Sequence, residues 1–288
     1  MQLSLIDNIR YMKSLYVILN GKKIPASEAV LGVDDLSIVR GYGIFDYFKT
    51  INHQPLFWDD NLIRFYNSAN IMDLPVRYSQ SEIKEQIREL MTANNIPDSG
   101  IKLLLTGGYS NDGYSIGEPN LIISQHELQR DLEKERWGMK LITYEYHRAF
   151  SYAKTIDYVM GIKAFKEAHK AGADDVVYVK DGYLSECPRA NIFLITKEDV
   201  LITPEENVLH GITRKHILEM AKAKFTVEAR KVSVQDMENA AEAFITSTTK
   251  NITPVTAIND IIYGNEAGPK TRVLQEIWEE MTYEAVEK

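Results

Sequence analysis

Hairpin signals constrain the fold of this chain more than any other feature of its sequence. The apolar run Tyr16–Leu19 leads into Asn20-Gly21, and Asp175–Lys180 leads into Asp181-Gly182. Both dipeptides favour the tight turns that join antiparallel strands. Helical patterns are interleaved with such strands in both halves of the chain. In the first half, Asp59 or Asp60 is the predicted N-cap of one helix, and Ser79 or Ser81 that of the next. The sequence therefore predicts an α+β fold with antiparallel and mixed sheets, not a doubly wound parallel sheet.

A charged stretch divides the two halves. The chain has 288 residues, enough for two domains of ordinary size. Residues 129–136 are charged almost throughout and are the best candidate for a linker, with a solvated helical turn equally consistent. We predict an N-terminal domain at residues 16–128 and a C-terminal domain at residues 137–288. Residues 1–15 are interpreted as an extension, either flexible or docked.

Composition and charge exclude several classes of protein. The formal net charge of −8 argues against nucleic acid as the main partner. The single cysteine, Cys187, excludes an internal disulfide and suits a reducing compartment. The first fifteen residues lack the pattern of a signal peptide, and no window reaches the roughly 18 apolar residues of a membrane helix. We expect a cytoplasmic protein without a membrane partner.

Four chemical groups follow one another in the second half. Lys154 lies among aromatic and apolar residues, where burial favours an uncharged, nucleophilic amine. Glu186 lies in an apolar strand and needs a partner for its carboxylate. Gly211-Ile-Thr-Arg214 starts a helix, with Thr213 as the expected cap, and offers backbone N–H groups to a phosphate. Residues 246–249 add four hydroxyl groups. A lysine-bound pyridoxal phosphate requires such an amine, carboxylate and phosphate site.

In this order the four groups resemble the class IV pyridoxal-phosphate aminotransferases. That family includes branched-chain aminotransferases, D-amino-acid aminotransferases and aminodeoxychorismate lyase. The resemblance extends from Tyr16 to Val255, with Asp157 standing where the family commonly has Asn. It implies the two-domain fold type IV, a homodimer, and pyridoxal 5'-phosphate bound between the domains.

The resemblance also implies roles for single residues. Lys154 would be the catalytic lysine that bonds to the cofactor, Tyr158 would donate to its phenolic oxygen, and Glu186 would pair with its pyridine nitrogen. The residues implied at the phosphate are Arg64, Ile212, Thr213, Ser247 and Thr248. The residues implied at the substrate are Tyr42, Phe45, Lys49, Thr249 and Lys250. Asn191 is expected to support a turn.

Simpler interpretations stand beside these. Tyr158 is also consistent with a core aromatic residue, and residues 211–214 with an ordinary helix cap. Cys187 reads as a small hydrophobic residue because nothing nearby in sequence supplies a base. The glycine-rich segment at residues 107–117 suits either a loop that closes a neighbour's pocket or a surface hairpin. The six histidines show no metal spacing, so no catalytic metal is expected.

The substrate is less constrained than the chemistry. Tyr42, Phe45, Tyr47 and Phe48 favour an apolar side chain. We predict a transaminase that moves an amino group between an apolar, branched-chain-type amino acid and a 2-oxo acid in ping-pong order. A D-amino-acid transaminase is the first alternative, although the usual Arg-x-His carboxylate trap is missing from residues 103–113. Aminodeoxychorismate lyase is the second. A non-enzymatic descendant is disfavoured because Lys154, Glu186, Arg64 and Thr248 are all present.

Overall fold

The computed structural model describes residues 15–128 and 131–287. Contacts divide these residues into two compact units. The first runs to Leu128 and also includes Ala153–Asp157, whereas the second holds the remaining described residues. The predicted C-terminal domain included residues 153–157, so the units differ from the predicted ranges at that segment. Residues 1–14 of the expected extension and residues 129–130 of the candidate linker lie outside the described residues.

The first unit contains a six-stranded antiparallel sheet in the order β2-β1-β6-β5-β3-β4. Its strands are β1 (Tyr16–Leu19), β2 (Lys22–Pro25), β3 (Gly43–Ile51), β4 (Gln54–Pro55), β5 (Ser99–Thr106) and β6 (Leu121–Glu127). The predicted Asn20-Gly21 turn joins β1 to β2, and both residues have positive φ angles of 50° and 78°. Positive φ at both central residues is what the tightest hairpin turn requires.

The helices of this unit are α1 (Leu36–Val39), α2 (Trp58–Ile71) and α3 (Gln80–Asn94), with a 3-10 turn at Ala26–Glu28. Helices α2 and α3 pack against the core of the sheet. Of the two predicted caps of α3, Ser79 or Ser81, the structure confirms Ser79, which forms a reciprocal capping box with Glu82. The predicted cap of α2 at Asp59 or Asp60 is wrong. The helix begins earlier, after Phe57 in a left-handed conformation, and both acids lie in its first turn.

The alternation of β3 decides which of its residues face the helices. Ile44 and Phe48 point into the core with Leu62 and Phe65 of α2. Phe48 is therefore a core residue, whereas the sequence analysis grouped it with the pocket aromatics. The opposite face of the sheet carries the odd-numbered residues of β3, from 43 to 49.

The second unit contains an eleven-stranded mixed sheet in the order β13-β12-β11-β15-β16-β7-β8-β9-β14, with β10 paired to β11 and β17 to β16. The first of these strands in the chain are β7 (Met139–Glu145), β8 (Asp175–Lys180), β9 (Tyr183–Leu184), β10 (Glu186–Cys187), β11 (Ala190–Ile195) and β12 (Val200–Pro204). The others are β13 (Thr226–Arg230), β14 (Val232–Ser233), β15 (Glu242–Ser247), β16 (Asn251–Ile258) and β17 (Ile261–Ile262). Parallel and antiparallel pairs both occur, which confirms the α+β prediction.

The helices of the second unit are α4 (Leu132–Trp137), α5 (Val159–Lys170), α6 (Ile212–Met220), α7 (Val234–Asn239) and α8 (Pro269–Glu287), with a 3-10 turn at Ala221–Ala223. Helix α4 lies in the segment for which a linker and a helical turn were equally consistent. In residues 15–128 and 131–287, no helix has the length and apolar character needed to span a membrane.

Strand β11 lies at the centre of the second unit and is buried along its whole length. Phe193 of β11 stacks on Phe244 of β15, with ring centroids 4.9 Å apart. A strand covered on both faces reads as a continuous apolar run, as this one does. This rigid centre carries β10 with Glu186 on one side and the end of β15 on the other.

Candidate functional site

Lys154 is held by backbone hydrogen bonds within the first unit. Its carbonyl accepts from the Phe45 N–H at 2.9 Å, and its own N–H donates to Ser68 Oγ at 3.0 Å. The Ile156 N–H donates to the Gly43 carbonyl at 3.0 Å. A Cβ at Gly43 would lie 2.8 Å from the Leu105 carbonyl oxygen, so only glycine permits this close approach. The position of Lys154 is thus fixed by residues distant in sequence.

The Lys154 side chain is half-buried and lies over an aromatic ring. Its Nζ is 4.6 Å from the centroid of the Phe45 ring, within the range of a cation–π interaction. Lys102 Nζ is 5.2 Å from the same centroid. The structure therefore brings together Lys154 and Phe45, two residues that the sequence assigned to one active site.

Arg64 pairs with a buried carboxylate. Its Nε donates to Asp46 Oδ2 at 2.9 Å and its Nη2 to Oδ1 at 2.8 Å. Asn61 also donates to Asp46 Oδ1, at 2.8 Å, and the Asp46 side chain is fully buried. A bidentate pair holds the guanidinium plane in one orientation and uses only one of its edges. The role of Arg64 at a phosphate stays a prediction.

The face of the first sheet that carries Phe45 is more polar than the sequence indicated. Lys49 is buried on this face, and Lys102 lies opposite Tyr47 in the register of β3 and β5. The Tyr47 hydroxyl is 3.4 Å from His126 Nε2. Burial raises the pKa of Tyr47 to about 12. Burial, followed by the charge of Lys102, lowers the pKa of His126, so both rings are neutral near pH 7.

Tyr42 lies at the start of β3 and is tied to the end of α2. Its hydroxyl donates to the Met72 carbonyl at 2.7 Å. Burial, with the nearby charge of Asp73, raises the pKa of the Tyr42 phenol. Tyr42 is therefore a neutral, oriented aromatic residue.

Both carboxylate oxygens of Glu186 accept hydrogen bonds. Its Oε1 accepts from Arg148 Nε at 2.8 Å, and its Oε2 accepts from the Leu209 N–H at 2.9 Å. Arg148 Nη2 also donates to the Ser151 carbonyl at 2.7 Å. Burial disfavours the charge of Arg148, but the Glu186 carboxylate outweighs it and raises the pKa of Arg148. The pair is therefore an ion pair, in which the two oxygens of Glu186 are held from different directions.

The sequence alone predicts no role for Arg148 as the partner of Glu186. The two residues are 38 positions apart, and no local pattern links them. The sequence offers only a general expectation here. A buried acid requires a cation, and arginine is the cation that suits buried pairs.

Two tyrosines lie near the Arg148–Glu186 pair. Tyr158 is half-buried and is the N-cap residue of α5. It is one of the groups that raise the pKa of Arg148. Tyr178 is fully buried, and burial raises its pKa, with Tyr146 and Glu186 adding to the shift. A Cβ at Gly161 would lie 3.5 Å from the Tyr178 hydroxyl and 3.6 Å from Tyr158 Cδ1. Gly161 of α5 therefore lies close to both rings.

The start of α6 is buried and has no side-chain cap. The N-cap residue is Gly211, so the prediction that Thr213 caps the helix is wrong. Thr213 lies inside the first turn of the helix, next to Ile212, and both side chains are buried. A Cβ at Gly211 would lie 2.2 Å from Asn191 Oδ1, which leaves no room for a side chain there. N–H groups at a helix start without a side-chain cap are donors of the kind that suit an anion.

Asn191 connects this helix start to the hydroxyl cluster. Its Nδ2 donates to the Leu209 carbonyl at 2.8 Å, and its Cα is paired with that of Thr246 on β15. In the described part of the chain the buried Thr246 Oγ1 has no hydrogen-bond partner. The contact to Leu209 agrees with the expected support of a turn.

Strand β15 ends at Ser247, and residues 248–250 turn into β16. The Lys250 N–H donates to Ser247 Oγ at 3.2 Å. Lys250 Nζ is 3.7 Å from Asp175 Oδ2, so its side chain faces a carboxylate of β8. Burial lowers the pKa of Lys250, and the charge of Asp175 partly offsets this effect.

Cys187 is a buried core residue. Burial raises the pKa of the Cys187 thiol well above its usual value, and the charge of Asp175 adds to this effect. The thiol is thus protonated and packed in the core, as a small hydrophobic residue would be. No group of three or more His, Cys, Asp or Glu side chains suited to a metal ion occurs among residues 15–128 and 131–287.

The glycine-rich segment 107–117 is ordered by one acid. Asp112 accepts from the backbone N–H groups of Tyr114 and Ser115 at 2.8 and 2.7 Å, and from two serine hydroxyls. These bonds lower the pKa of Asp112. A Cβ at Gly108 would lie 2.0 Å from the Glu118 carbonyl oxygen, and its φ angle is +73°, so glycine serves both close backbone packing and a left-handed turn.

The described groups fit pyridoxal phosphate. A fixed carboxylate suits a protonated pyridine nitrogen, and an uncapped helix start beside hydroxyl groups suits a phosphate. Considered by itself, the first unit offers the amine of Lys154. The donor set of the chain therefore agrees with the cofactor that the sequence predicted.

Comparisons with known proteins also indicate an aminotransferase. Residues 43–258 match the family described as amino-transferase class IV. A D-alanine aminotransferase of Bacillus licheniformis is 27% identical over 267 residues, which are 90% of this chain and 94% of that protein. A putative branched-chain-amino-acid aminotransferase of Methanocaldococcus jannaschii is 27% identical over 273 residues, covering 90% of this chain and 94% of the relative.

Solved structures show the same likeness. The branched-chain amino acid aminotransferase of Escherichia coli matches with a TM-score of 0.88 and 25% identity, over 94% of this chain and 95% of that one. The T.th. branched-chain amino acid aminotransferase with pyridoxamine 5'-phosphate matches with a TM-score of 0.86 and 26% identity, over 94% of each chain. These likenesses extend over both units.

Proposed function

Because the chain belongs to the class IV amino-transferases, we propose that it moves an amino group between an apolar, branched-chain-type amino acid and a 2-oxo acid. Pyridoxal 5'-phosphate is the proposed cofactor, and the two substrates react in ping-pong order. The observation that carries this proposal is the buried Glu186 carboxylate, held by Arg148 and by the Leu209 N–H.

Pyridoxal phosphate, when bound, supplies an electron-poor ring that takes up the electrons released when the substrate's α-proton leaves. Glu186, which is paired with Arg148, would stabilise the positive charge on the pyridine nitrogen. Tyr158 donates a hydrogen bond to the phenolic oxygen. Lys154 would hold the cofactor through its Nζ, and after the substrate amine displaced it, the freed Nζ would move the proton at the substrate Cα.

The phosphate is held by backbone donors, hydroxyl groups and one guanidinium. The proposed residues are Ile212, Thr213, Ser247, Thr248 and Arg64. The buried, uncapped start of α6 supports the first two. The orientation that Asp46 gives to Arg64 supports the last, because a fixed planar guanidinium binds a phosphate with less loss of entropy.

The side chain of the substrate is proposed to contact Tyr42, Phe45 and the neighbouring Lys49, and its carboxylate to contact Thr249. An apolar wall discriminates by only about 1–3 kcal/mol per methylene, so leucine, isoleucine and valine should all react. A D-amino-acid transaminase remains the second candidate, because a relative named D-alanine aminotransferase covers 90% of the chain.

One panel of substrates tests the proposal. The absorbance of the bound cofactor is followed in a single turnover with the L and D forms of leucine, alanine and glutamate. The proposal predicts the fastest change with L-leucine. A preference for D-alanine or D-glutamate would establish the second candidate instead, and release of pyruvate from aminodeoxychorismate would overturn both.

A homodimer is part of the proposal, with the loop at residues 107–117 reaching a neighbour's site. The order that Asp112 imposes on the loop and the exposure of Tyr109 and Tyr114 support this assignment. Sedimentation of the active enzyme should give a dimer. An active monomer would contradict the assignment and favour an ordinary surface hairpin.

A further inference from the structure

A buried carboxylate lies next to the hydroxyl turn and takes no part in the proposed chemistry. Asp175 is 1% exposed and accepts from the Val176 N–H through Oδ1 at 3.0 Å. Its Oδ2 accepts no hydrogen bond from the residues that the structure describes. Two cations face this oxygen, Lys250 Nζ at 3.7 Å and Arg189 Nη2 at 3.8 Å.

Lys250 is the principal counter-ion of the two. Its side chain is 20% exposed, against 57% for Arg189, which also lies over the Phe165 ring. A charge interaction is stronger where water is excluded, and an exposed arginine is screened. Removal of the Lys250 charge would leave Asp175 buried with only a screened partner.

Lys250 also ends the turn that follows Ser247. Its N–H donates to Ser247 Oγ at 3.2 Å, and its carbonyl accepts from Thr253 Oγ1 at 2.7 Å. The backbone of this residue is thus tied to both strands that the turn joins, and its side chain is tied to Asp175 on a third strand. The turn is anchored at its end, immediately after Thr248 and Thr249.

We propose that Asp175 is a positioning residue, which acts through Lys250 to fix the turn at residues 247–250 and so raises the affinity for the phosphate group of the cofactor. This inference rests on the proposed function, which places Ser247 and Thr248 at that phosphate. Donors that are held in place before binding lose less conformational entropy when they bind. Lys250 accordingly serves the turn and not the substrate carboxylate.

The test compares two cofactors that differ in one group. The full-length protein, freed of cofactor, is titrated with pyridoxal phosphate and with pyridoxal, which lacks the phosphate. In Lys250→Met the dissociation constant for pyridoxal phosphate should rise about tenfold, because the released hydroxyl turn must be ordered when the phosphate binds. The constant for pyridoxal should stay within about twofold. A general loss of stability would move both constants together.

Three further variants separate positioning from stability. Asp175→Asn with Lys250→Met leaves no buried charge, so thermal stability should recover relative to Lys250→Met alone. The selective loss for pyridoxal phosphate should persist in this double variant, because the anchor is still missing. Lys250→Arg keeps a cation and should restore the preference. Lys180→Met removes the exposed pair with Glu145 in the same unit and should change neither constant.

Equal losses for both cofactors in Lys250→Met, or no loss for either, would overturn the inference while leaving the proposed function intact. If Lys250→Met does not fold, the double variant gives the same decision through its two dissociation constants. Failure of the wild-type protein to bind pyridoxal phosphate would instead refute the proposed function, and the inference with it.

Discussion

The two regions that carry the proposed cofactor residues are built in different ways. In the first unit, Lys154 is placed by hydrogen bonds to Phe45 and Ser68, which precede it by more than eighty residues. In the second unit, the helix start at Gly211 is formed by consecutive residues, with Asn191 packed against it from a neighbouring strand. A local donor site can be recognised in a sequence, whereas a docked segment depends on the sheet that receives it.

The variant Lys154→Ala should have the largest effect on activity. Turnover should fall by at least about 1,000-fold, because the variant loses both the covalent attachment and the proton transfer. Reduction of the wild-type protein with borohydride should add the mass of the cofactor to Lys154 alone. Lys163→Ala, at an exposed position of α5, should keep wild-type activity. Mass found on another lysine would refute the assignment.

The next largest effect, on stability, is expected at the Arg148–Glu186 pair. Arg148→Met leaves the Glu186 carboxylate buried without its cation, which should lower the free energy of unfolding by about 3–5 kcal/mol. Denaturation in urea measures this change. Arg148→Met combined with Glu186→Gln should recover part of the loss, since no buried charge remains. A single variant as stable as the wild type would show that the pair is not needed for the fold.

The sequence predicted most of the fold because its signals were local. Asn20-Gly21 and Asp181-Gly182 both adopt the positive φ angles of hairpin turns, and Ser79 caps α3 as expected. The start of α2 was missed because it depends on the left-handed Phe57, and aromatic residues rarely adopt that conformation. Phe48 was misplaced because one residue of strand register decides whether a side chain faces the core.

The candidate site was predictable only in part, for the same reason. Glu186 and Gly211-Ile-Thr-Arg214 could be recognised from their own segments. Arg148, Asp175 and Lys102 were not given their roles, since each meets its partner through pairing of distant strands or through a loop. Thr213 was expected to be a cap, but Gly211 takes that position because Asn191 fills the space above it.

A smaller change tests the local region. In Gly211→Ala the new Cβ would lie only 2.2 Å from Asn191 Oδ1. This overpacking should lower the free energy of unfolding by about 1–3 kcal/mol. The affinity for pyridoxal phosphate should fall as the first turn of α6 shifts. Asn191→Ala combined with Gly211→Ala should restore stability by making room for the methyl group. If the single variant unfolds like the wild type, the helix start tolerates a side chain.

The smallest effect tests the distant pairing in the first unit, at His126. Its pKa is lowered by burial and by Lys102, so the folded protein binds a proton less readily than the unfolded chain, whose histidine titrates near about 6.5. Stability from this residue is present above that unfolded value and is lost as the pH falls from there through the lower pKa of the folded protein. His126→Gln should remove this part of the pH dependence, which we expect to be below about 1 kcal/mol. In Lys102→Met, the pKa of His126, followed by NMR, should rise toward its ordinary value. An unchanged pKa would leave burial as the sole cause and would show that the charge opposite Tyr47 has no influence on this face of the sheet.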